Sequence, residues 1–185
     1  LSRIGKVAAD TTATLLAERF GVGAVVFTGV AGGIGPGVRV GDIVVASRFM
    51  QHDMDASPLF PRFEVPLYAR AVFDTDEALT LRLHRAATHM LADPVSTLGP
   101  AVVREFGLER PVVHQGLVLS GDQFVSSHTA SQALRQAVPQ ALAVEMEGAA
   151  FAQVCHDFGL PFAAVRTISD RADDEAHADF SRFIA

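Results

Sequence analysis

Residues 24–47 decide the fold. They read Ala24-Val25-Val26-Phe27, then a glycine-rich stretch over 28–41, then Asp42-Ile43-Val44-Val45-Ala46-Ser47. Short continuous apolar runs bounded by turn-forming residues are the pattern of strands buried on both faces, a situation that arises when helices cover a sheet on each side. The flanking sequence supplies such helices. Over 4–20, Ile4, Val7, Ala8, Leu15, Leu16 and Phe20 fall on one broad apolar stripe, ended by Gly21. Leu79, Leu83, Ala86, Ala87 and Met90 recur at helical spacing, and 128–137 and 146–158 read as helices, the latter with Met146, Ala150, Val154 and Phe158 on a shared face. Residues 112–119, 142–144 and 162–168 read as further strands, and 50–75, with Pro58, Pro61 and Pro66, as a long irregular loop. Strands alternating with amphipathic helices predict an α/β domain: three layers, α/β/α, around a central mixed, mostly parallel sheet.

Composition narrows the function. A chain of 185 residues without repeat or linker is one domain. Its 49% hydrophobic content excludes disorder, and 15 glycines and 9 prolines without period exclude a collagen-like chain. The longest apolar runs are strand-sized, far short of a membrane span, and the first residues carry no export signal, so no membrane partner is expected. A single cysteine, Cys155, excludes an internal disulfide framework and a cysteine-based zinc site and fits a reducing, cytoplasmic compartment. The net charge is −6, the acidic excess lies in 73–185, and Lys and Arg form no cluster. Nucleic acid is therefore not a partner, and a neutral or cationic small molecule suits the chain better than a polyanion. The histidines lack metal-ligand spacing: His84 and His89 are five apart and the rest are scattered, so no metal is expected. No cofactor is expected either. The glycine-rich stretch lacks the Gly-Lys-Ser/Thr of a phosphate loop, and it leads into a strand where a dinucleotide fingerprint would lead into a helix.

In open α/β sheets ligands bind beyond the carboxyl ends of strands. After the first strand comes Thr28-Gly29-Val30-Ala31-Gly32-Gly33-Ile34-Gly35, which is either a sharp turn or a place where backbone approaches a ligand. After 112–119 comes Ser120-Gly121-Asp122-Gln123-Phe124-Val125, where Phe124 is either core or a stacking platform. Glu145-Met146-Glu147 follows the next strand. These carboxylates either decorate a helix N-terminus or, partly shielded, accept ligand hydroxyls such as a ribose diol. Arg166-Thr167-Ile168-Ser169-Asp170 closes the last strand, and Asp170 is either a helix cap or a proton donor.

Taken together, Thr28-Gly-Val-Ala-Gly-Gly, Val40-Gly-Asp-Ile-Val-Val, His52-Asp-Met-Asp, Ser120-Gly-Asp, Ala143-Val-Glu-Met-Glu-Gly-Ala-Ala and Val165-Arg-Thr-Ile-Ser-Asp resemble the 5′-methylthioadenosine/S-adenosylhomocysteine nucleosidases of the purine nucleoside phosphorylase superfamily. The resemblance runs from Ile4 to Phe183. It implies a single nucleoside phosphorylase-like domain over 1–185 that hydrolyses the N-glycosidic bond of these adenine nucleosides. Residue by residue, it makes Asp170 the donor of a proton to purine N7 and Arg166 the arginine beside the nucleophilic water. Glu147 holds the ribose hydroxyls, and Met146 lies against the sugar. Phe124 stacks on the base, the Val125 backbone reads its edge, and Ala31, Gly32 and Ser169 stand close to the nucleoside. Asp53 receives no role. Val30 stands where many members carry Ser. Phe27 stands where phosphorylases of the superfamily carry a phosphate-binding arginine, which favours water as the nucleophile. The resemblance also implies a strand segment ahead of Leu1 with a loop glutamate that activates water, a final helix running beyond Ala185, and a homodimer. The segment 57–66, apolar at Leu59, Phe60, Phe63 and Val65 and stiffened by three prolines, either folds over its own domain or, as expected here, crosses the two-fold interface. A nucleoside phosphorylase, a hydrolase of the aminofutalosine type and a non-catalytic nucleoside-binding homologue are the alternatives.

Overall fold

The computed structural model describes residues 1–184. Its elements are α1 (Lys6–Glu18), β1 (Val25–Gly33), β2 (Ile43–Gln51), β3 (Val72–Asp74), α2 (Glu77–Met90), α3 (Pro94–Leu98), α4 (Pro100–Phe106), β4 (Val113–Ser120), α5 (His128–Ala137), β5 (Ala141–Glu145), α6 (Gly148–Asp157), β6 (Phe162–Asp170) and α7 (Ala176–Ile184). Among the described residues no helix is long and apolar enough to cross a membrane.

The sheet is mixed. β1 pairs with β6, β2 with β4 and β4 with β5 in parallel; β1–β5, β2–β3 and β2–β6 are antiparallel. The two longest pairings, β1–β6 and β2–β4, are parallel. Because β2 meets β4 along its length and β6 along Ile43–Ala46, the strands β2-β4-β5-β1-β6 curl into a closed ring, with β3 added outside on Arg48–Met50.

Alternation along the strands sorts the layers, since successive side chains point to opposite faces. On β2, Val44, Ala46 and Phe49 join the cluster that contains Ala9 and Ala13 of α1 and Ala150, Phe151 and Val154 of α6, whereas Ile43 and Val45 pack with Ala87 of α2. On β4, Val118 faces the first cluster, and Leu117 and Leu119 face a third, against which Ala130 and Leu134 of α5 pack. Helices α1 and α6 thus cover one face and α2 and α5 the other, as expected of an α/β/α domain. Local chemistry sets the helix starts: Asp76 accepts from the Leu79 amide at 2.8 Å and Ser127 from the Ala130 amide at 3.2 Å, while Pro94 and Pro100 open α3 and α4.

Three readings from sequence are corrected. The apolar stripe expected on the first helix is only in part its buried face: Ala9 and Ala13 are buried and Leu16 packs against the core, while Ile4, Val7 and Phe20 are 75%, 77% and 69% exposed. Small residues let α1 approach α6 closely, and that outweighs the periodicity of the larger ones. The glycine-rich stretch is not a turn at its start, because β1 continues through it to Gly33, carried by its pairing with β6. The helix expected from Met146 begins at Gly148, after Glu145 has taken up the first free amides. In the loop at 57–66, Val65 is buried in its own domain and Phe63 packs against the core, while Leu59 is 84% exposed and free to meet a partner.

Gly148 is where α6 lies flush on the sheet, and a Cβ there would collide with the Phe49 ring. Gly148→Ala should therefore destabilise the fold by about 1–3 kcal/mol, as overpacking of a close-packed core does. Urea denaturation would show the loss as a lower midpoint at unchanged slope. An unchanged midpoint would mean that α6 can slide without cost.

Candidate active site

A cavity of about 470 Å³ opens at the ends of β1, β5 and β6, a volume in the range of small-molecule sites. Its wall is mostly apolar, with Phe27, Val30, Ala31, Val125, Phe124 and Phe180 among the lining residues. Set into it are three carboxylates, Glu145, Glu147 and Asp170, and one buried guanidinium, Arg166. All nine residues marked out by sequence line it: Ala31, Gly32, Phe124, Val125, Met146, Glu147, Arg166, Ser169 and Asp170.

Asp170 ends β6 and is 3% exposed. Its carboxyl accepts from the Ser169 hydroxyl and from the Ala172 amide, both at 2.8 Å. It does not cap a helix, because α7 starts six residues later. Gly32 on the adjacent strand makes the room: a Cβ there would lie 2.8 Å from an Asp170 carboxyl oxygen. The Asp170 carboxyl is held above its ordinary range. Burial is the chief cause, opposed by the Ala172 amide and the Ser169 hydroxyl and aided by the negative charges of Asp179 and Asp173. Such a group retains a proton to higher pH than a solvated aspartate and can give it to a ligand. Ser169, though in the wall, spends its hydroxyl on Asp170.

Arg166 is 1% exposed. Its Nη2 donates to Glu145 Oε2 at 2.6 Å, and its guanidinium carbon lies 4.0 Å from the centre of the Phe27 ring. Gly29 keeps that channel open, since a Cβ there would stand 3.0 Å from Nη1. Nε and Nη1 are buried with no hydrogen-bond partner among the described residues. Two donors of a buried cation are thus left for whatever enters this end of the cavity. Glu145 is saturated: besides Arg166 it accepts from the Ser120 hydroxyl and from the amides of Glu147 and Gly148.

Glu147 is half-buried and accepts from the Gly5 amide at 2.9 Å, leaving further acceptor capacity facing the cavity. Burial raises its proton affinity, partly offset by the Gly5 bond and then strengthened by the charge of Glu145. Phe124, 40% exposed, meets Phe180 of α7 edge-on at 5.8 Å, so the two rings form one aromatic wall. Phe180 and residues 2–4 escaped the sequence reading: they lie on segments without strand-end character, and the chain fold alone brings them here. Asp53 lies outside the lining. Among the described residues no group of three His, Cys, Asp or Glu side chains could hold a metal ion.

A buried carboxyl, a half-buried carboxylate with spare acceptor capacity, two guanidinium donors without a partner among the described residues and an aromatic wall make a site suited to a small ring-bearing polar ligand in an α/β protein. The chain belongs to the phosphorylase superfamily, whose sequence model matches residues 1–185, and within it to the 5′-methylthioadenosine/S-adenosylhomocysteine nucleosidases. It is 38% identical to the 5′-methylthioadenosine/S-adenosylhomocysteine nucleosidase of Shewanella denitrificans, over 99% of this chain and 72% of that one. Among solved structures, the nucleosidase of Neisseria meningitidis in complex with methylthio-immucillin-A superposes with a TM-score of 0.84 at 37% identity, covering 99% of this chain and 71% of that one. The futalosine hydrolase of Helicobacter pylori strain 26695 gives a TM-score of 0.79 at 37% identity, covering 98% and 70%.

The raised proton affinity of Asp170 has a consequence for stability. Between the ordinary aspartate range and the higher folded value, the folded state binds more protons than the unfolded one, so stability falls as pH rises through that window. Asp170→Asn escapes that loss. Its melting temperature should exceed that of the wild type near pH 7, and the gap should narrow as the pH falls to about 4. A gap independent of pH would show that the ionised carboxylate is not penalised.

Proposed function

We propose that the protein is an N-ribosyl hydrolase that cleaves the glycosidic bond of 5′-methylthioadenosine and S-adenosylhomocysteine, releasing adenine and the 5-thioribose product. The observation that carries this reading is the buried Asp170 carboxyl facing the same cavity as Glu147. In the proposed mechanism Asp170, oriented by Ser169 and Ala172, gives its proton to purine N7. A protonated adenine is a better leaving group, and the ribosyl moiety departs with oxocarbenium character. Glu147 accepts the sugar hydroxyls and fixes the ring while its bond to the base lengthens. Met146 lies along the sugar, Phe124 stacks on the base, and the Val125 backbone reads its edge. Ala31 and Gly32 allow close approach.

The nucleophile is water. Glu145 already matches the charge of Arg166, and Phe27 covers the guanidinium face. A phosphate dianion at this end would bring charge that no free cation there meets, which is costly in a buried site. The two unpartnered Arg166 donors suit one neutral water. A second reading, hydrolysis of a nucleoside with a bulkier 5′ group, is favoured by the likeness to the futalosine hydrolase at 37% identity. The proposed setting is the cytoplasm, where the reaction would serve methionine salvage and the methyl cycle.

Adenine release from methylthioadenosine tests the reading. Asp170→Asn should lower the rate about 10²–10⁴-fold, the usual contribution of a general acid. Release within about tenfold of wild type would reduce Asp170 to a buried turn residue. Binding without any release by the wild type would favour the non-catalytic homologue.

We further read the protein as a homodimer. Leu59, Leu67, Ile4 and Val7 are large apolar side chains left 75–91% exposed, and a second copy that covered them would remove that apolar surface from water. Leu59→Asp with Phe60→Asp should yield monomers in light scattering and impair 5′-alkylthio nucleosides more than adenosine. A variant that stays dimeric with unchanged substrate preference would place the interface elsewhere.

A further inference from the structure

The acidic segment His52-Asp53-Met54-Asp55 takes no part in the chemistry above, yet the fold uses Asp53 at a junction of three chain segments. Asp53 follows β2. One carboxylate oxygen accepts from Lys6 Nζ at 2.7 Å, and the other accepts from the Asp122 amide at 2.9 Å. Asp122 in turn accepts from the Lys6 amide at 2.7 Å. That amide is the first of α1, whose N-cap is Gly5, a residue without a side chain to satisfy it, so Asp122 caps the helix from a distant loop. Lys6 Nζ also donates to Gln51 at 3.0 Å, and Gln51 to Gln153 of α6 at 2.8 Å. The ring is closed and each member has a defined donor or acceptor. Burial works against the Asp53 charge, but the bonds from Lys6 and the Asp122 amide outweigh it and hold the carboxyl below its ordinary range.

Two of the three stapled segments run directly into the cavity wall. Residues 2–4, immediately before Lys6, line it on one side; residues 123–125, immediately after Asp122, line it on another. Between them, Gly5 gives its amide to Glu147 at 2.9 Å. Gly5 can do so because its φ of 95° is open to glycine and strained for other residues. A Cβ there would also stand 3.1 Å from the Asp122 carboxylate. Asp53 itself is absent from the lining among the described residues.

We propose that Asp53 is a positioning residue: by tying Lys6 to the Asp122 loop it fixes the Gly5 amide, and through it the orientation in which Glu147 meets the ribose hydroxyls. The proposal rests on the reading of Glu147 as the acceptor of the sugar diol. It differs from a general structural role in one respect. A merely structural residue would weaken every ligand alike, whereas Asp53 should matter only for ligands that carry the diol, and only while Glu147 can accept from it.

The test is Asp53→Asn, read by calorimetric titration with three ligands: adenine, a C-nucleoside analogue of adenosine whose base–sugar bond cannot be hydrolysed, and its 2′-deoxy counterpart. The asparagine amide can replace one of the two acceptors, never both, because its nitrogen is a donor. Affinity for the ribo analogue should fall about tenfold, the effect of weakening one hydrogen bond to a charged group. The deoxy analogue should lose about threefold or less, and adenine should be unchanged. In a Glu147→Gln background the further effect of Asp53→Asn should shrink to within about twofold, because the two residues act in one chain of contacts. Equal losses on all three ligands, or full additivity with Glu147→Gln, would overturn the proposal while leaving the hydrolase reading intact. A wild type that binds neither nucleoside analogue would overturn both. Should Asp53→Asn not fold, Lys6→Met removes the same staple from the other side and is held to the same discrimination.

Discussion

The buried pair between Arg166 and Glu145 is the constraint around which the strand ends are arranged. Taking two charges out of water costs several kcal/mol each, and attraction repays this only with short contacts and complete hydrogen bonding. Both conditions shape the neighbourhood. The contact is 2.6 Å, and Glu145 collects the Ser120 hydroxyl from β4 and two amides from the start of α6, where the helix dipole also favours negative charge. The Ser120 oxygen is itself held by the Ala149 amide at 2.8 Å. Arg166 rests on Phe27, which stacks on Phe151 of α6 at 4.3 Å. Strands β1, β4, β5 and β6 and helix α6 are thereby fixed to one point, and that point is the floor of the cavity.

The closed sheet explains why the remaining groups converge there. An open parallel sheet would spread its carboxyl ends along a line. Here β2 bonds to both β4 and β6, so the ends of β1, β5 and β6 lie around a ring and their following residues face one another. Glycine is required where the ring is tightest. Gly29 yields to Arg166 and Gly32 to Asp170, so the glycine-rich segment serves side chains of the neighbouring strand as much as any ligand. Its alternatives in the sequence reading, sharp turn or ligand approach, both miss this: the segment is strand, and its missing side chains are the space that β6 occupies.

Much of this was legible from sequence, for identifiable reasons. Strand ends are marked by a change from apolar runs to polar residues, and so Glu145, Glu147, Arg166 and Asp170 stood out before any coordinates. Alternation and helical spacing located most elements. What failed was whatever depends on the partner surface. The stripe of Ile4, Val7 and Phe20 looked like a core face because size dominates such patterns, while close helix packing selected Ala9 and Ala13. Helices α3 and α4 carry too few buried side chains to show a period: α3 has none and α4 has Val103. Phe180 and residues 2–4 reach the cavity by long-range contacts alone, and the role of Asp53 depends on a ring of bonds whose members are 47, 69 and 116 residues apart.

Three carboxylates share one cavity, and their surroundings separate their work. Glu145 faces a guanidinium, a hydroxyl and helix amides, so its charge is spent on structure. Glu147 is half-buried and tied by one amide, which leaves it an acceptor with room for hydroxyl donors. Asp170 is buried deepest from compensating charge: its bonds come from a neutral hydroxyl and a single amide, and the nearest charges that act on it, Asp179 and Asp173, are of its own sign. An acid group so placed gains by holding a proton until a basic ring nitrogen offers a better site, and the ligand's arrival then relieves the penalty that the fold imposed. Proton retention at Asp170 thus follows from its surroundings: the buried guanidinium of Arg166 is paired with Glu145, and Asp170 is left with a hydroxyl, an amide and neighbours of its own sign.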